Sequence, residues 1–254
     1  MIDLKKLQTE GNNQLTKEID HLSTIEILNL INKEDQTVAI AVYNALPQIK
    51  KLVDALTISM KKGGRLIYTG AGTSGRIGLL DSVECPPTYG VSSNDVICLM
   101  AGGNSAFAYA LEGAEDDEEQ GIKDLMNIHP TENDFLVGIA ASGRTPYVLS
   151  MLKKAKELGL KTGCIVNTKD SIISQAVDYK IEAVTGAEVI SGSTRMKAGT
   201  AQKLICNMIS TTVMIKLGHV YQNYMIDLRA TNIKLVARQL SIIASICDIS
   251  ELLF

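Results

Sequence analysis

Three short loops rich in Gly, Ser and Thr interrupt the chain, and each has a cation close by. They are Thr69-Gly-Ala-Gly-Thr-Ser-Gly-Arg76, Ala141-Ser-Gly-Arg-Thr-Pro146 and Ser191-Gly-Ser-Thr-Arg-Met-Lys197. Bare backbone amides, hydroxyl donors and nearby positive charge are what the oxygens of a phosphate need. The first loop offers Gly72, Thr73, Ser74, Gly75 and Arg76 as ligands. The second offers Ser142, Gly143, Arg144 and Thr145, and the third Ser193, Thr194, Arg195 and Lys197. Glu84 and Glu115 stand between the first and second loops and add groups able to move protons. The set reads as a site for a sugar phosphate or similar phospho-ligand, with carboxylate chemistry attached.

Each motif also has a plainer reading. Gly70-Ala-Gly-Thr-Ser-Gly75 matches the G-x-G-x-x-G of dinucleotide-binding folds, which calls for an acidic residue ending the second strand. Here that strand ends Leu99-Met-Ala-Gly-Gly and Asp95 stands at its start, so nicotinamide binding finds no support. Ser142 to Thr145 taken alone is a turn in which Thr145 caps a helix begun by Pro146, a role compatible with anion binding at the same helix end. Arg195 and Lys197 are either surface cations or anion ligands at the start of a long helix. Glu115 heads the acidic run Glu115-Asp-Asp-Glu-Glu119, which suits a solvated helix start. Glu84 lies in Glu84-Cys-Pro-Pro-Thr88, which the two prolines should keep out of regular structure. Spacing alone leaves both glutamates open to a surface role. His21, His129 and His219 are far apart and sit beside no Cys or Asp at ligand spacing, which argues against a metal centre.

The elements that must position these loops are legible from periodicity. Ser23 or Thr24 is placed to cap a helix, and apolar residues recur at helical spacing from Glu34 to Lys62, closed by Gly63-Gly64. Pro47 inside that pattern predicts a kink or break. Five β-rich runs follow, at residues 65–69, 95–100, 134–140, 161–167 and 179–184, with helical patterns between most of them. Continuous apolar runs such as Phe135-Leu-Val-Gly-Ile-Ala140 imply strands buried on both faces. The expected fold is α/β, a doubly wound αβα sandwich around a five-stranded, mainly parallel sheet. Helical patterns from Ala198 to Leu217 and from Leu228 to Leu253 complete the chain. The expected organisation is a helical segment over 1–62, a ligand-binding domain over 63–227 and a helical segment over 228–254. In such sheets the ligand lies beyond the carboxyl ends of the strands, where the first and second loops both fall.

Composition narrows the partners. A chain of 254 residues can bury a sizeable core, and its net charge of −3 lacks the basic surplus of a nucleic-acid binder. With no Trp and only 4% aromatic residues, stacking platforms are not expected. Cys85, Cys98, Cys164, Cys206 and Cys247 are scattered, mostly in apolar runs, which suits buried free thiols and a reducing compartment. The start lacks a signal-peptide core, and polar residues interrupt the most apolar late segment. The expectation is a cytoplasmic protein with no membrane partner.

The loops and their order resemble the sugar isomerase (SIS) domain family and, within it, are similar to the N-acetylmuramic acid 6-phosphate etherases. The segments that carry this are Tyr68 to Arg76, Asp81-Ser-Val-Glu-Cys-Pro-Pro-Thr88, Glu112-Gly-Ala-Glu-Asp-Asp117, Ala140 to Tyr147 and Gly192 to Lys203, with Glu34-Asp35 and Tyr221 to Met225 in support. Gly186-Ala-Glu188 departs from the Gly-Pro-Glu usual in the family, and related chains continue past the equivalent of Phe254 into a further helical region. The resemblance implies a small phosphorylated amino sugar as substrate, cleavage of its C3 lactyl ether, no metal or redox cofactor, and a homodimer. It also implies Glu84 as proton donor, with Glu115 as its partner. A sugar-phosphate sensor related to glucokinase regulatory protein and an aldose–ketose isomerase are the alternatives on the same fold.

Overall fold

The structure, a computed structural model, describes Thr9, residues 11–230 and residues 232–248. After two 3₁₀ turns at Gln14–Thr16 and Ile19–His21, helix α1 runs from Thr24 to Lys61. Its start is a capping box, in which Ser23 and Glu26 satisfy each other's amides. Gly63, with φ at 81°, ends the helical region where only glycine turns without strain.

Five parallel strands follow: β1 (Leu66–Gly70), β2 (Val96–Met100), β3 (Phe135–Ile139), β4 (Lys161–Val166) and β5 (Tyr179–Glu182). Their spatial order is β2-β1-β3-β4-β5, and every pairing among them is parallel. All five expected strands are present within a residue or two of their expected ends. The helices between and after them are α2 (Gly72–Tyr89), α3 (Ser105–Ala108), α4 (Glu118–Asn127), α5 (Pro146–Glu157), α6 (Ile172–Ala176) and α7 (Lys197–Leu217). A hairpin of β6 (Val220–Tyr221) and β7 (Tyr224–Met225) then leads to α8 (Ile233–Cys247). The part of the expected last helix beyond residue 248 lies outside the described residues.

Alternation along the strands feeds two cores. Leu66 and Tyr68 face one that holds Leu52 and Leu56 of α1 and Ile205 and Ile209 of α7. Ile67 and Leu136 face the other, with Leu125 of α4 and Tyr147, Met151 and Leu152 of α5. Each fully buried aliphatic side chain contributes roughly 1.5–3 kcal/mol, so this two-sided burial dominates the stability of the sandwich. At the entry edge of the sheet Asp134 ties β1 to β3. It accepts from Arg65 N at 2.8 Å, Arg65 Nη2 at 2.7 Å and Thr131 N at 2.8 Å.

Two proline expectations need correction. α1 passes through Pro47 without a break. Pro47 and Tyr43, whose carbonyl loses its helical donor, are both on the exposed face, where water can replace the missing bond. The buried stripe of Val42, Ala45, Ile49 and Leu52 holds the helix together across the gap. Likewise Glu84, Pro86 and Pro87 belong to the last turns of α2. There the Thr88 hydroxyl donates to Glu84 O at 2.8 Å and Gly90 closes the end through its amide on Pro86 O at 3.0 Å.

The chain leaves β1 toward β2 on one side and β3 toward β4 on the other. This reversal creates a topological switch point, with a crevice beyond Gly70 and Ile139, which are paired at the carboxyl ends of β1 and β3.

Candidate active site

Two helices begin at the switch point, and neither is closed by a side chain. Ala71 is the N-cap of α2 and has no side-chain cap bond. Thr145 is the N-cap of α5, followed by Pro146 in the first turn, but its hydroxyl makes no cap bond either. Thr145 thus takes the expected place without using its side chain for capping. Both helices turn unpaired amides and the positive ends of their dipoles toward the crevice.

Glycine sets this geometry. A Cβ on Gly75 would sit 2.8 Å from Gly70 O, so the first loop allows α2 to rest directly on β1 only with glycine there. Gly143 turns with φ at 64°, and a Cβ there would collide with Ser171.

The third loop reaches the first. A Cβ on Gly199, in the first turn of α7, would lie 3.3 Å from Thr73 Cγ2 and 3.6 Å from Thr194 O. A buried chain of hydrogen bonds joins them further in. Ser74 Oγ donates to Gln202 Oε1 at 2.9 Å, Gln202 Nε2 donates to Asn167 Oδ1 at 2.9 Å, and Asn167 Nδ2 donates to Ala183 O at 3.0 Å.

The cations are used differently from one another. Arg76 spends its guanidinium on the carbonyls of Ala106 at 2.8 Å and Phe107 at 2.9 Å, holding the segment after β2 in place. Lys197 is buried, and its ammonium lies 2.6 Å from Glu34, which also accepts from Asn13. The N-terminus of α7 is already filled by an internal anion, since Glu188 accepts from the amides of Lys197 and Ala198, both at 2.9 Å. Ser193 and Thr194 are half-buried and Arg195 is exposed beside them. Arg144 is half-buried on the second loop, and its Nε is buried without a partner. Ser142 is half-buried on the same loop.

The two glutamates face different spaces. Glu115 is exposed at the rim of a cavity of about 340 Å³ whose walls include Gly72, Arg76, Glu112 and Ala114. Glu84 is exposed on α2 and lines a second cavity of about 270 Å³ between α2 and α7, with Asp81, Lys203 and Asn207. Burial pushes the Asp81 carboxyl above the ordinary carboxylate range, against donors from Ser210, Tyr68 and Asn207.

The sequence reading missed Gln202, Asn167, Glu188 and Glu34 as supports of the loops. Asn167 and Gln202 had a signal: amides at a strand end and inside the third motif, both on the ligand side of the sheet.

Sheet order and the paired helix starts at the switch point define a doubly wound α/β fold with a ligand crevice beyond the carboxyl ends of its strands. Residues 48–156 match the family described as glucokinase regulatory protein N-terminal SIS domain. Among solved structures, the fold is similar to a putative phosphosugar isomerase involved in capsule formation from Bacteroides fragilis, with a TM-score of 0.59 and 22% identity over 78% of this chain and 95% of that one. It is also similar to a phosphoheptose isomerase from Francisella tularensis, with a TM-score of 0.57 and 18% identity over 77% and 100% of the two chains.

Sequence relatives go further. An N-acetylmuramic acid 6-phosphate etherase of Aeromonas hydrophila is 54% identical over 97% of this chain and 83% of its own length. The one of Bacillus subtilis is 53% identical over 98% and 82%. The chain belongs to the N-acetylmuramic acid 6-phosphate etherase family, as its motifs implied.

Proposed function

We propose that this chain is a carbon–oxygen lyase that cleaves the C3 lactyl ether of N-acetylmuramic acid 6-phosphate, releasing N-acetylglucosamine 6-phosphate and D-lactate in amino sugar recycling. The observation that carries the reading is identity above half to etherases of that name along nearly the whole chain. The open crevice between two uncapped helix starts supports a phosphosugar ligand.

An alkyl ether cannot leave through an oxocarbenium ion as an acetal does, so glycosidase chemistry does not apply. In the open-chain aldehyde the C2 proton is acidified by the carbonyl, and the C3 ether oxygen lies β to it. Glu115 removes the C2 proton while Glu84, carrying a proton, delivers it to the departing lactate oxygen. Water then adds at C3, giving its proton to Glu84 while the protonated Glu115 returns a proton to C2, so the C3 hydroxyl is restored and both carboxyls regain their starting states. Each positioned acid–base group supplies about 10²–10⁴-fold. The loops of Ser74, Ser142, Thr145 and Ser193 hold phosphate and sugar hydroxyls, and this anchoring lowers the barrier by fixing the reacting carbons.

The protein acts as a cytoplasmic homodimer in this reading. No described helix is long and apolar enough to cross a membrane. Release of D-lactate from N-acetylmuramic acid 6-phosphate tests the activity. Binding of the sugar phosphate without lactate release would instead indicate a sensor, and conversion of an aldose phosphate to a ketose phosphate an isomerase.

A further inference from the structure

In the two-glutamate reading Glu84 gives its proton to the ether oxygen that leaves with lactate, from about 2.6–3.2 Å. That oxygen is bonded to the carbon that carries the lactyl methyl and the lactyl carboxylate. Both groups therefore lie within a few bonds of the Glu84 carboxyl, and the walls around Glu84 must receive them.

Those walls have the matching chemistry. Ile77, Leu80, Asp81 and Glu84 of α2 line the cavity of about 270 Å³, at the spacing that places them on one helix face. Lys203 and Asn207 of α7 line it as well. Ile77 and Leu80 offer apolar contact to a methyl group. Lys203 is the one cation among the lining residues. It is exposed, lies within electrostatic reach of Asp81, and forms no ion pair among the described residues.

The cavity is also held in shape. Ser74 and Gln202 join α2 to α7 at one end across 2.9 Å, and Tyr89 donates to Thr211 at 3.2 Å toward the other. Between them the buried Asp81 carboxyl accepts from Tyr68 and Ser210 at 3.0 Å and from Asn207 at 3.1 Å. A third carboxyl entering beside Asp81 and Glu84 needs a compensating cation, and Lys203 supplies it. The same ammonium favours bond breaking, because negative charge builds on the ether oxygen next to that carboxylate.

We infer that the Glu84 cavity is a subsite for the leaving 2-hydroxy acid: Lys203 binds the lactyl carboxylate, and Ile77 and Leu80 receive the lactyl methyl. The inference rests on the two-glutamate etherase reading and adds the residue that tells a lactyl ether from a plain sugar phosphate.

The test compares N-acetylmuramic acid 6-phosphate with its lactamide, whose carboxamide is neutral, and with N-acetylglucosamine 6-phosphate, which has no lactyl group. Wild type prefers the acid to the lactamide by at least about 10-fold in kcat/KM. Lys203→Met loses that preference and Lys203→Arg keeps most of it, while the melting temperature and the inhibition constant of N-acetylglucosamine 6-phosphate stay unchanged in both. A preference absent from wild type, or retained by Lys203→Met, overturns the inference. So does an equal loss of N-acetylglucosamine 6-phosphate binding, which would assign Lys203 to the phosphate. Failure of the underlying reading shows elsewhere, as near-normal turnover of Glu84→Gln or as no lactate from wild type. In that last case the acid-over-lactamide preference is read from dissociation constants on the same proteins, with the same outcomes for Lys203.

Discussion

Ser74 donates its hydroxyl hydrogen to Gln202 across 2.9 Å, and the sense of that bond is fixed far from Ser74. Ala183 O can only accept, so Asn167 turns its Nδ2 to it at 3.0 Å and its Oδ1 toward Gln202. Gln202 then has only its oxygen left for Ser74. A carbonyl at the end of β5 thereby orients a hydroxyl in the first loop.

Gln202→Leu strands the Ser74 hydroxyl and Asn167 Oδ1 in a buried setting. The expected cost is about 1–3 kcal/mol, with a drop of about 2–4 °C in Tm for each kcal/mol. The KM for the sugar phosphate rises as well, because Ser74 loses its fixed orientation. A variant that melts and binds like wild type would show that the chain of bonds carries no weight.

Glu188→Ala uncovers the N-terminus of α7. The amides of Lys197 and Ala198 lose their carboxylate acceptors, and stability falls by about 1–2 kcal/mol in denaturant titrations. The vacated helix end then attracts external anions. Inorganic phosphate should raise the melting temperature of the variant more than that of wild type, and equal shifts would count against an internal anion at this end.

Acid sensitivity follows from Asp134. Burial pushes its carboxyl up, but the Arg65 guanidinium and the amides of Thr131 and Arg65 outweigh burial and hold it below the ordinary range. Asp178 is lowered in the same way, with donors from Thr162 and Lys156 working against burial. A carboxyl lowered by folding stabilises the protein above its unfolded value of about 3.9, and that contribution is lost as the pH falls through the folded value. Stability should therefore drop below about pH 4. Asp134→Asn should be less stable at pH 7 and lose less on acidification, since its side chain no longer titrates. A parallel acid limb in wild type and variant would refute this account.

Thiol chemistry should be confined to one residue. Burial pushes the thiols of Cys85, Cys98 and Cys164 up to about 12 and that of Cys206 well above its ordinary value. Cys247 is the exposed one of the five. A chromogenic disulfide at pH 8 should titrate a single fast thiol in the native protein and five after unfolding, with the fast phase absent in Cys247→Ser.

The sheet was legible because buried parallel strands write themselves as unbroken apolar runs, as in Phe135 to Ile139. The loops were legible because glycine and hydroxyl residues follow those runs directly. Pro47 and the Pro86-Pro87 pair misled, since propensity penalises a helical proline while packing on the opposite face decides whether the helix survives. The roles of Arg76 and Lys197 were hidden for a different reason. A cation beside a glycine-rich loop has the same sequence signature whether it meets a phosphate or, as here, carbonyls and Glu34. Glu188 and Glu34 act across long sequence separations, and local spacing carries no trace of such pairs.

The seating of α2 on β1 gives the helix a mechanical character. With Gly75 pressed against Gly70, the helix has its fulcrum at the crevice and a lever arm of about 14 Å out to Glu84. A tilt of about 8° at that seat, which a single added methyl group could impose, swings the carboxylate by about 2 Å. Misplacement by about 1 Å can cost about 10²-fold in rate. In the etherase reading, a flaw at the Gly75 seat is therefore felt as lost turnover at a carboxylate about 14 Å away.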